Sequence, residues 1–144
     1  MQQQWRQHLG IDVQLVVQDF STYLRTTTNL QYNAVAHSFD SGYYLDPNWF
    51  LSQFMTGSSY SGTGWSDPKY DLMLNRANEL IVPSERMHAL ASCERYLLAA
   101  MPVIPIYFDA WSYLQKPYVH GGGGSPFDTR PFKYTWMDTK WRPE

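Results

Sequence analysis

The chain has 144 residues, enough for one domain with a buried core, and its net charge of -2 combines scattered charges of both signs. This balance excludes the basic surface that a nucleic-acid backbone requires, and no apolar run approaches the ~20 residues of a membrane-spanning helix. The single cysteine, Cys93, excludes an internal disulfide and a thiolate metal cluster.

The first ten residues have the pattern of a helix that ends at a glycine. Trp5 and Leu9 lie four residues apart on one face, and Gly10 occupies the position of a C-cap. The segment lacks the basic region, apolar stretch and cleavage site of an export signal. Because the chain opens inside a helical pattern, we expect it to be cut from a longer protein.

A βαβ unit is predicted next. Apolar residues recur at every second position at Ile11, Val13, Leu15 and Val17. This alternation predicts a strand over 11–18, and Asp19 then suits the N-cap of a helix that ends near Asn29. The side chains expected to face inward from this helix are those of Phe20, Tyr23 and Leu24. A second strand over 32–38 completes the unit, and the two strands are expected to be parallel.

Helical segments follow. Asp46 and Pro47 begin a helical turn that carries aromatic side chains, and a loop rich in Gly, Ser, Thr and Tyr covers 55–65. Ser66 and Pro68 mark the start of a longer helix. Its predicted buried face consists of Tyr70, Met73, Leu74, Ala77 and Leu80.

A second long helix is expected to run antiparallel to the first, from Pro83 to Met101. Its predicted apolar face contains Met87, Leu90, Ala91, Leu97 and Leu98. Cys93 lies between apolar neighbours, which favours a small core side chain over a reactive thiol.

The C-terminal part is predicted to contain two strands. The apolar run over 102–108 indicates a buried strand, with Pro105 placing it at an edge or a bulge. The segment 121–124 consists of four glycines and is either a natural flexible turn or an engineered linker. A final strand follows from the alternation of Phe132, Tyr134 and Trp136 with polar residues.

The sequence contains no recognisable catalytic or metal-binding motif. The spacing of His8, His37, His88 and His120 matches no metal site, and no nucleophile elbow or phosphate-binding glycine loop is present. Asp40 and Asp46 flank a proline turn, which favours capping or turn roles over acid/base catalysis. We therefore predict that the chain is not an enzyme and has no cofactor and no metal.

Four segments together resemble a known family. They are LGIDV at 9–13, YYLDPNWFL at 43–51, YDLML at 70–74 with the ER pair at 85–86, and PVIPIY at 102–107 followed by KPYVHG at 116–121. Their order and spacing resemble the C-terminal third of the family 5 extracellular solute-binding proteins, the oligopeptide- and dipeptide-binding components of ABC importers. The resemblance covers nearly the whole chain.

The resemblance implies an α/β fold, namely a partial C-terminal lobe of a type II periplasmic-binding-protein-like fold with a βαβ unit, two helices and a final strand. Residues 1–120 would be a fragment of the second lobe. Residues 121–144 would form a Gly-rich turn and a strand crossing toward the first lobe. The implied function is non-catalytic capture of peptides or similar small solutes, outside the cytoplasm in the periplasm or cell envelope. The alternative is an incomplete interaction fragment that binds no ligand until it is completed.

The resemblance also implies a ligand cleft. Its expected lining consists of Phe39, Asp40, Tyr43, Tyr60 and Tyr107. Where the family often has Gly-Trp and then an aspartate that anchors a peptide's amino terminus, this chain has Phe39 and Asp40 with a one-residue shift. Either Asp40 takes that role or the anchor is absent. A carboxylate beside aromatic walls suits a cationic amine.

The expected partners are a peptide or other small solute, the membrane subunits of an ABC transporter, and either a missing upstream lobe or a second copy in a homodimer. The last expectation follows from apolar side chains that would lack cover in an isolated lobe. They are Val13, Leu15, Val35, Ile104 and Ile106.

Overall fold

The structure is a computed structural model that describes residues 1–33, 36, 42, 44–58, 60, 62–108, 110, 112–121 and 132–142. The chain divides into two compact units, Met1–Ala36 and His37–Glu144. Within the described residues, helices predominate and the sheet has two short strands. No described helix combines the length and the apolar character that crossing a bilayer requires.

The first unit begins with helix α1 (Gln2–Gln4), which continues as a π-helical turn over Trp5–Leu9. The turn ends at Gly10, whose φ of 66° is left-handed and therefore favours glycine. This confirms the predicted C-cap. Helix α2 (Phe20–Thr28) also begins and ends as predicted. At its start, the Asp19 carboxylate accepts a hydrogen bond from the Thr22 backbone N–H at 3.1 Å.

Two expectations for this unit are wrong. Phe20 and Leu24 are exposed on α2 instead of facing a core. Residues 11–18 form no strand, and Val17 is 94% exposed. A strand requires a hydrogen-bonded neighbour, and no described segment pairs with 11–18.

The second strand of the predicted βαβ unit is also absent where its residues are described. Tyr32, Asn33 and Ala36 are not in a strand, and the remaining residues of 32–38 lie outside the described part of the chain. The described residues therefore form no βαβ unit. Alternating apolar residues indicate which side chains share a face, but they do not supply the partner that a ladder requires.

Three helices build the core of the second unit: α3 (Pro47–Ser52), α4 (Pro68–Glu79) and α5 (Pro83–Ala100), which pack pairwise. Their buried side chains are Leu51, Tyr70, Leu74, Ala77, Leu90, Cys93 and Leu97. The predicted inner faces of the two long helices are confirmed in part. The buried predicted residues are Tyr70, Leu74, Ala77, Leu90 and Leu97, the partly buried ones are Met73, Leu80, Ala91 and Leu98, and Met87 is exposed. Cys93 is a core residue.

The antiparallel arrangement of α4 and α5 is confirmed by two side-chain contacts. The Tyr96 hydroxyl, late in α5, donates to Asp67 at the start of α4 at 2.8 Å. Arg86, early in α5, donates to Asn78 near the end of α4 at 3.4 Å. The N-cap of α4 is Asp67, one residue after the predicted Ser66.

The predicted buried strand over 102–108 is wrong. The described residues 102–108 form no strand, and Ile104, Ile106 and Phe108 are exposed. Pro102 and Pro105 lack a backbone N–H, so this segment is a poor donor to a sheet ladder.

The predicted last strand is shifted. A 3-10 turn occupies Phe132–Tyr134, and strand β2 (Trp136–Met137) pairs antiparallel with β1 (Val119–His120). Gly121 follows β1 with a φ of 78°, and a Cβ there would lie 2.1 Å from the Tyr134 carbonyl oxygen. Glycine is therefore required at 121, which favours a structural turn at this position. Residues 122–124 lie outside the described part of the chain.

The core predicts that two leucines contribute differently to the free energy of unfolding. We expect Leu90→Ala, which empties a fully buried position on α5, to lower the free energy of unfolding by about 2–5 kcal/mol. The control Leu72→Ala removes an exposed side chain on α4, and its effect is expected to stay within about 0.5 kcal/mol. Urea unfolding followed by circular dichroism measures both. Equal destabilisation by the two substitutions would contradict this core.

Candidate ligand-binding site

The predicted cleft residues fall into two groups. Phe39, Asp40 and Tyr43 lie outside the described residues. Tyr60 and Tyr107 are described, and their side chains are 74% and 68% exposed. Both rings are therefore accessible to solvent, as a ligand contact requires.

Tyr60 belongs to a cluster of three aromatic rings, Tyr44, Trp49 and Tyr60, called here the aromatic cluster. Trp49 is at its centre. Its ring centroid lies 5.5 Å from that of Tyr44 and 6.3 Å from that of Tyr60, with interplanar angles of 76° and 64°. These are edge-to-face arrangements, in which the positive edge of one ring meets the negative face of another. The motif YYLDPNWFL at 43–51 contains Tyr44 and Trp49, but neither was among the predicted cleft residues.

Gly42 packs tightly against the same tryptophan. It is buried, and a Cβ at this position would lie 3.1 Å from Trp49 Cδ1 and 3.1 Å from Phe50 Cζ. Its φ of 69° is in the left-handed region, where glycine is favoured. Because glycine has no Cβ, the backbone at position 42 can lie close to α3. Position 42 is the residue between Asp40 and Tyr43 that the structure describes.

Asp46 holds the start of α3 by two kinds of contact. Its Oδ1 accepts a hydrogen bond from the Asn48 backbone N–H at 2.8 Å. Its carboxylate also forms a two-point ion pair with Arg86, with Nη1 to Oδ2 at 2.7 Å and Nη2 to Oδ1 at 3.1 Å. The two side chains are only 24% and 31% exposed. Asp46 is thus a capping residue, as predicted.

The ion pair changes the protonation behaviour of both partners. The hydrogen bond from Arg86 lowers the pKa of Asp46, partly opposed by desolvation, and the hydrogen bond to Asp46 raises the pKa of Arg86. The pair therefore stays ionised across the neutral pH range. The network extends further, because Asn78 donates from Nδ2 to Asn48 Oδ1 at 2.9 Å. The contact of Arg86 with Asp46 spans 40 positions, and nothing in the local sequence of either residue predicts it.

Two of the four histidines have structural partners, and the one cysteine is buried. His88 Nδ1 is 2.8 Å from the Ser84 carbonyl oxygen, and the His120 ring stacks on Trp136 at 4.2 Å. Burial raises the pKa of the Cys93 thiol, which disfavours a thiolate. Among the described residues, no three acidic, histidine or cysteine side chains converge as a metal site.

The chain is similar in sequence to curated binding proteins. It is 31% identical over 121 residues to the dipeptide-binding protein DppE of Bacillus subtilis, covering 84% of this chain and 22% of the relative. It is 29% identical over 118 residues to YgiS of Escherichia coli, a probable deoxycholate-binding periplasmic protein, covering 82% of this chain and 22% of the relative. No family model matches the chain.

A solved structure has the same fold. The unliganded open form of MppA, a periplasmic murein tripeptide-binding protein, superposes with a TM-score of 0.70 at 24% identity. The match covers 94% of this chain and 26% of the MppA chain. The fold is therefore that of a part of this periplasmic binding protein, with mostly helical structure and a two-stranded sheet in the described residues.

These comparisons confirm the resemblance found in the sequence. Most of the chain is homologous to a part of the family 5 oligopeptide- and dipeptide-binding proteins. The chain spans about 22% of the length of the curated relatives that it matches. The homologues are binding proteins and not enzymes, which agrees with the prediction that this chain has no catalytic activity.

The Asp46–Arg86 pair predicts a pH dependence of stability. Because the folded-state pKa of Asp46 is lowered, its contribution is present above the unfolded-state pKa of about 3.9 and is lost as pH falls through the folded-state value. We expect Asp46→Asn to lower the free energy of unfolding at pH 7 by about 1 kcal/mol and to flatten its decline in acid. Urea unfolding between pH 7 and pH 3 measures this.

The exposed pair Arg6–Asp12 provides a matched control. Its atoms are 2.7 Å apart, but its side chains are 69% and 70% exposed. Solvent screens such a pair, so Asp12→Asn is expected to change stability by less than about 0.5 kcal/mol at any pH. An Asp46→Asn variant with the same pH profile as the wild type would contradict the assignment.

Proposed function

We propose that this chain is part of the ligand-binding lobe of the substrate-binding component of an ABC importer, which captures peptides or similar small solutes without catalysis. The observation that carries the proposal is the 31% identity to a dipeptide-binding protein over 84% of the chain. In this proposal the full-length protein works outside the cytoplasm, in the periplasm or cell envelope. Its further partners are the membrane subunits of the transporter.

The proposed ligand cleft is lined by Phe39, Asp40, Tyr43, Tyr60 and Tyr107. The aromatic cluster supports it, because Tyr60 contacts Trp49 and Gly42 packs against the same ring. Tyr60 and Gly42 thus share one tryptophan, although 18 positions separate them in the sequence. Aromatic side chains that keep an accessible face provide a large contact area for the apolar part of a ligand.

Asp40 favours a ligand with a cationic amine. The relatives differ in what their names say they bind, from dipeptides to deoxycholate. Both ligand classes have an apolar body, which suits aromatic walls. A free peptide also has an amino terminus that a carboxylate can pair with, whereas deoxycholate has none. The proposal therefore favours peptides.

A second candidate function is an incomplete interaction fragment that binds no ligand until another segment or partner completes it. The observation that favours it is the exposure of apolar residues in two extended segments. They are Ile11, Leu15, Val16 and Val17 in the first unit and Ile104, Ile106 and Phe108 in the second. Such surfaces are typical of contact sites, and either a missing upstream lobe or a second copy of the chain would cover them.

Calorimetric titration of the 144-residue chain distinguishes the two functions. With trilysine, trialanine and deoxycholate as probes, we expect both peptides to bind more tightly than deoxycholate, because only they have an amino terminus. Tyr60→Ala is expected to weaken trilysine binding about tenfold, because an aromatic wall is lost. Phe20→Ala removes an exposed ring from the first unit and serves as the control. A folded chain that binds none of the probes would favour the interaction fragment.

The exposed segment over 11–17 predicts self-association. At ~25 cal/mol per Å² of apolar surface, covering a few hundred Å² stabilises a dimer by several kcal/mol. We expect a homodimer in light scattering and a shift toward monomer in Val17→Lys. Ile81→Lys is the control, because Ile81 is as exposed as Val17 but lies in the short connection between α4 and α5. A wild-type chain that stays monomeric at high concentration would contradict the homodimer.

A further inference from the structure

Arg86 lies in the first turn of α5 and reaches the start of α3. Its guanidinium donates to both carboxylate oxygens of Asp46 at 2.7 Å and 3.1 Å. Arg86 Nη2, which donates to Asp46 at 3.1 Å, also lies 3.4 Å from the Asn78 side-chain oxygen. One planar group thus connects α5 with the N-cap of α3 and with the last turn of α4.

The helix that Arg86 reaches is too short to hold its own orientation. α3 has six residues, and a helix of this length is unstable without tertiary contacts. Its far end is anchored in the core, where the Tyr70 hydroxyl donates to the Leu51 carbonyl oxygen at 2.7 Å. Its near end is held by Asp46, so the Arg86–Asp46 pair completes the second of two anchors.

Trp49 lies three residues after Asp46, within the first turn of α3. Its backbone N–H donates to the Asp46 carbonyl oxygen at 3.0 Å. A rotation of the first turn therefore moves the tryptophan ring directly. The edge-to-face contacts of Trp49 with Tyr44 and Tyr60 depend on the direction of that ring.

We propose that Arg86 is a positioning residue for the aromatic cluster. Arg86 binds both oxygens of the Asp46 carboxylate and so sets the orientation of the first turn of α3. The orientation of this turn in turn sets the direction of the Trp49 ring toward Tyr44 and Tyr60. The role of this arrangement in ligand capture rests on the proposed function. The positioning itself does not.

The geometry requires arginine. A guanidinium presents two parallel N–H donors to the two oxygens of a carboxylate, which fixes both distance and angle. Lysine supplies the same charge from a single point and leaves the carboxylate able to turn. Arg86→Lys is therefore expected to keep part of the stability of the pair and to lose part of the orientation.

Fluorine NMR of the chain labelled with 5-fluorotryptophan tests the positioning directly. The chain has six tryptophans, and the Trp49 resonance is assigned by its absence in Trp49→Phe. We expect Arg86→Gln to displace the Trp49 resonance and to leave the Trp65 resonance in place. Trp65 packs on the buried Tyr70 ring at 5.0 Å and reports on the core. Arg86→Lys is expected to displace the Trp49 resonance by a smaller amount.

Arg95→Gln is the matched control, because Arg95 is an exposed arginine on the same helix whose guanidinium donates to Ser92 Oγ at 2.9 Å. It is expected to move neither resonance. If Arg86→Gln leaves the Trp49 resonance unchanged, the inference is overturned. If Arg86→Gln also disturbs Trp65, Arg86→Lys decides: a displaced Trp49 with an intact Trp65 supports the positioning role, and an unmoved Trp49 overturns it.

Trilysine titration of the same variants links the positioning to ligand capture. We expect Arg86→Gln to weaken trilysine binding by about tenfold, Arg86→Lys to weaken it less, and Arg95→Gln to leave it unchanged. A displaced Trp49 resonance with full trilysine affinity would overturn the link to ligand capture. A wild-type chain that binds no trilysine would contradict the proposed function, while the displaced resonance would still support the positioning role.

Discussion

Two aspartates that cap neighbouring helices, each bound a second time by α5, organise the helical core. Asp46 caps α3 and is bound by Arg86, and Asp67 caps α4 and is bound by the Tyr96 hydroxyl at 2.8 Å. Each carboxylate satisfies backbone N–H groups that a helix start leaves without partners. The same group then ties that helix start to α5. The hydrogen bond from Tyr96 lowers the pKa of Asp67, as Arg86 does for Asp46.

Tyr70 joins these helix starts to the apolar core. Its ring is fully buried and lies 5.0 Å from the Trp65 ring, and its hydroxyl donates to the Leu51 carbonyl oxygen at the end of α3. Burial raises the pKa of this phenol, so the hydroxyl remains a donor. The short helix α3 is therefore held by a charged contact at one end and a buried hydrogen bond at the other. Trp49, the central ring of the aromatic cluster, lies on this supported helix.

The extended segments stand in contrast to this helical core. Residues 11–17 and 104–108 expose apolar side chains and have no strand partner among the described residues. The chain matches about a quarter of the solved binding protein whose fold it shares.

The sequence alone determined the parts that depend on neighbours in the chain. Gly10 as a C-cap and Asp19 and Asp46 as N-caps follow from contacts within a few residues, and the buried face of α4 follows from the helical period of its apolar residues. All of these are present in the structure. The family resemblance was also visible, because it rests on short motifs in a fixed order. Tyr60 was predicted as a cleft residue, and the structure places its ring beside Trp49.

Only the tertiary structure decided the contacts between distant residues. The strands expected over 11–18 and 102–108 are absent because alternation and apolarity do not supply a pairing partner, whereas β1 and β2 arise where 119–120 meets 136–137. The pairing of Arg86 with Asp46 spans 40 positions, and the local pattern at neither residue indicates that the two meet. Such contacts depend on how α3, α4 and α5 pack, and packing is a property of the assembled core.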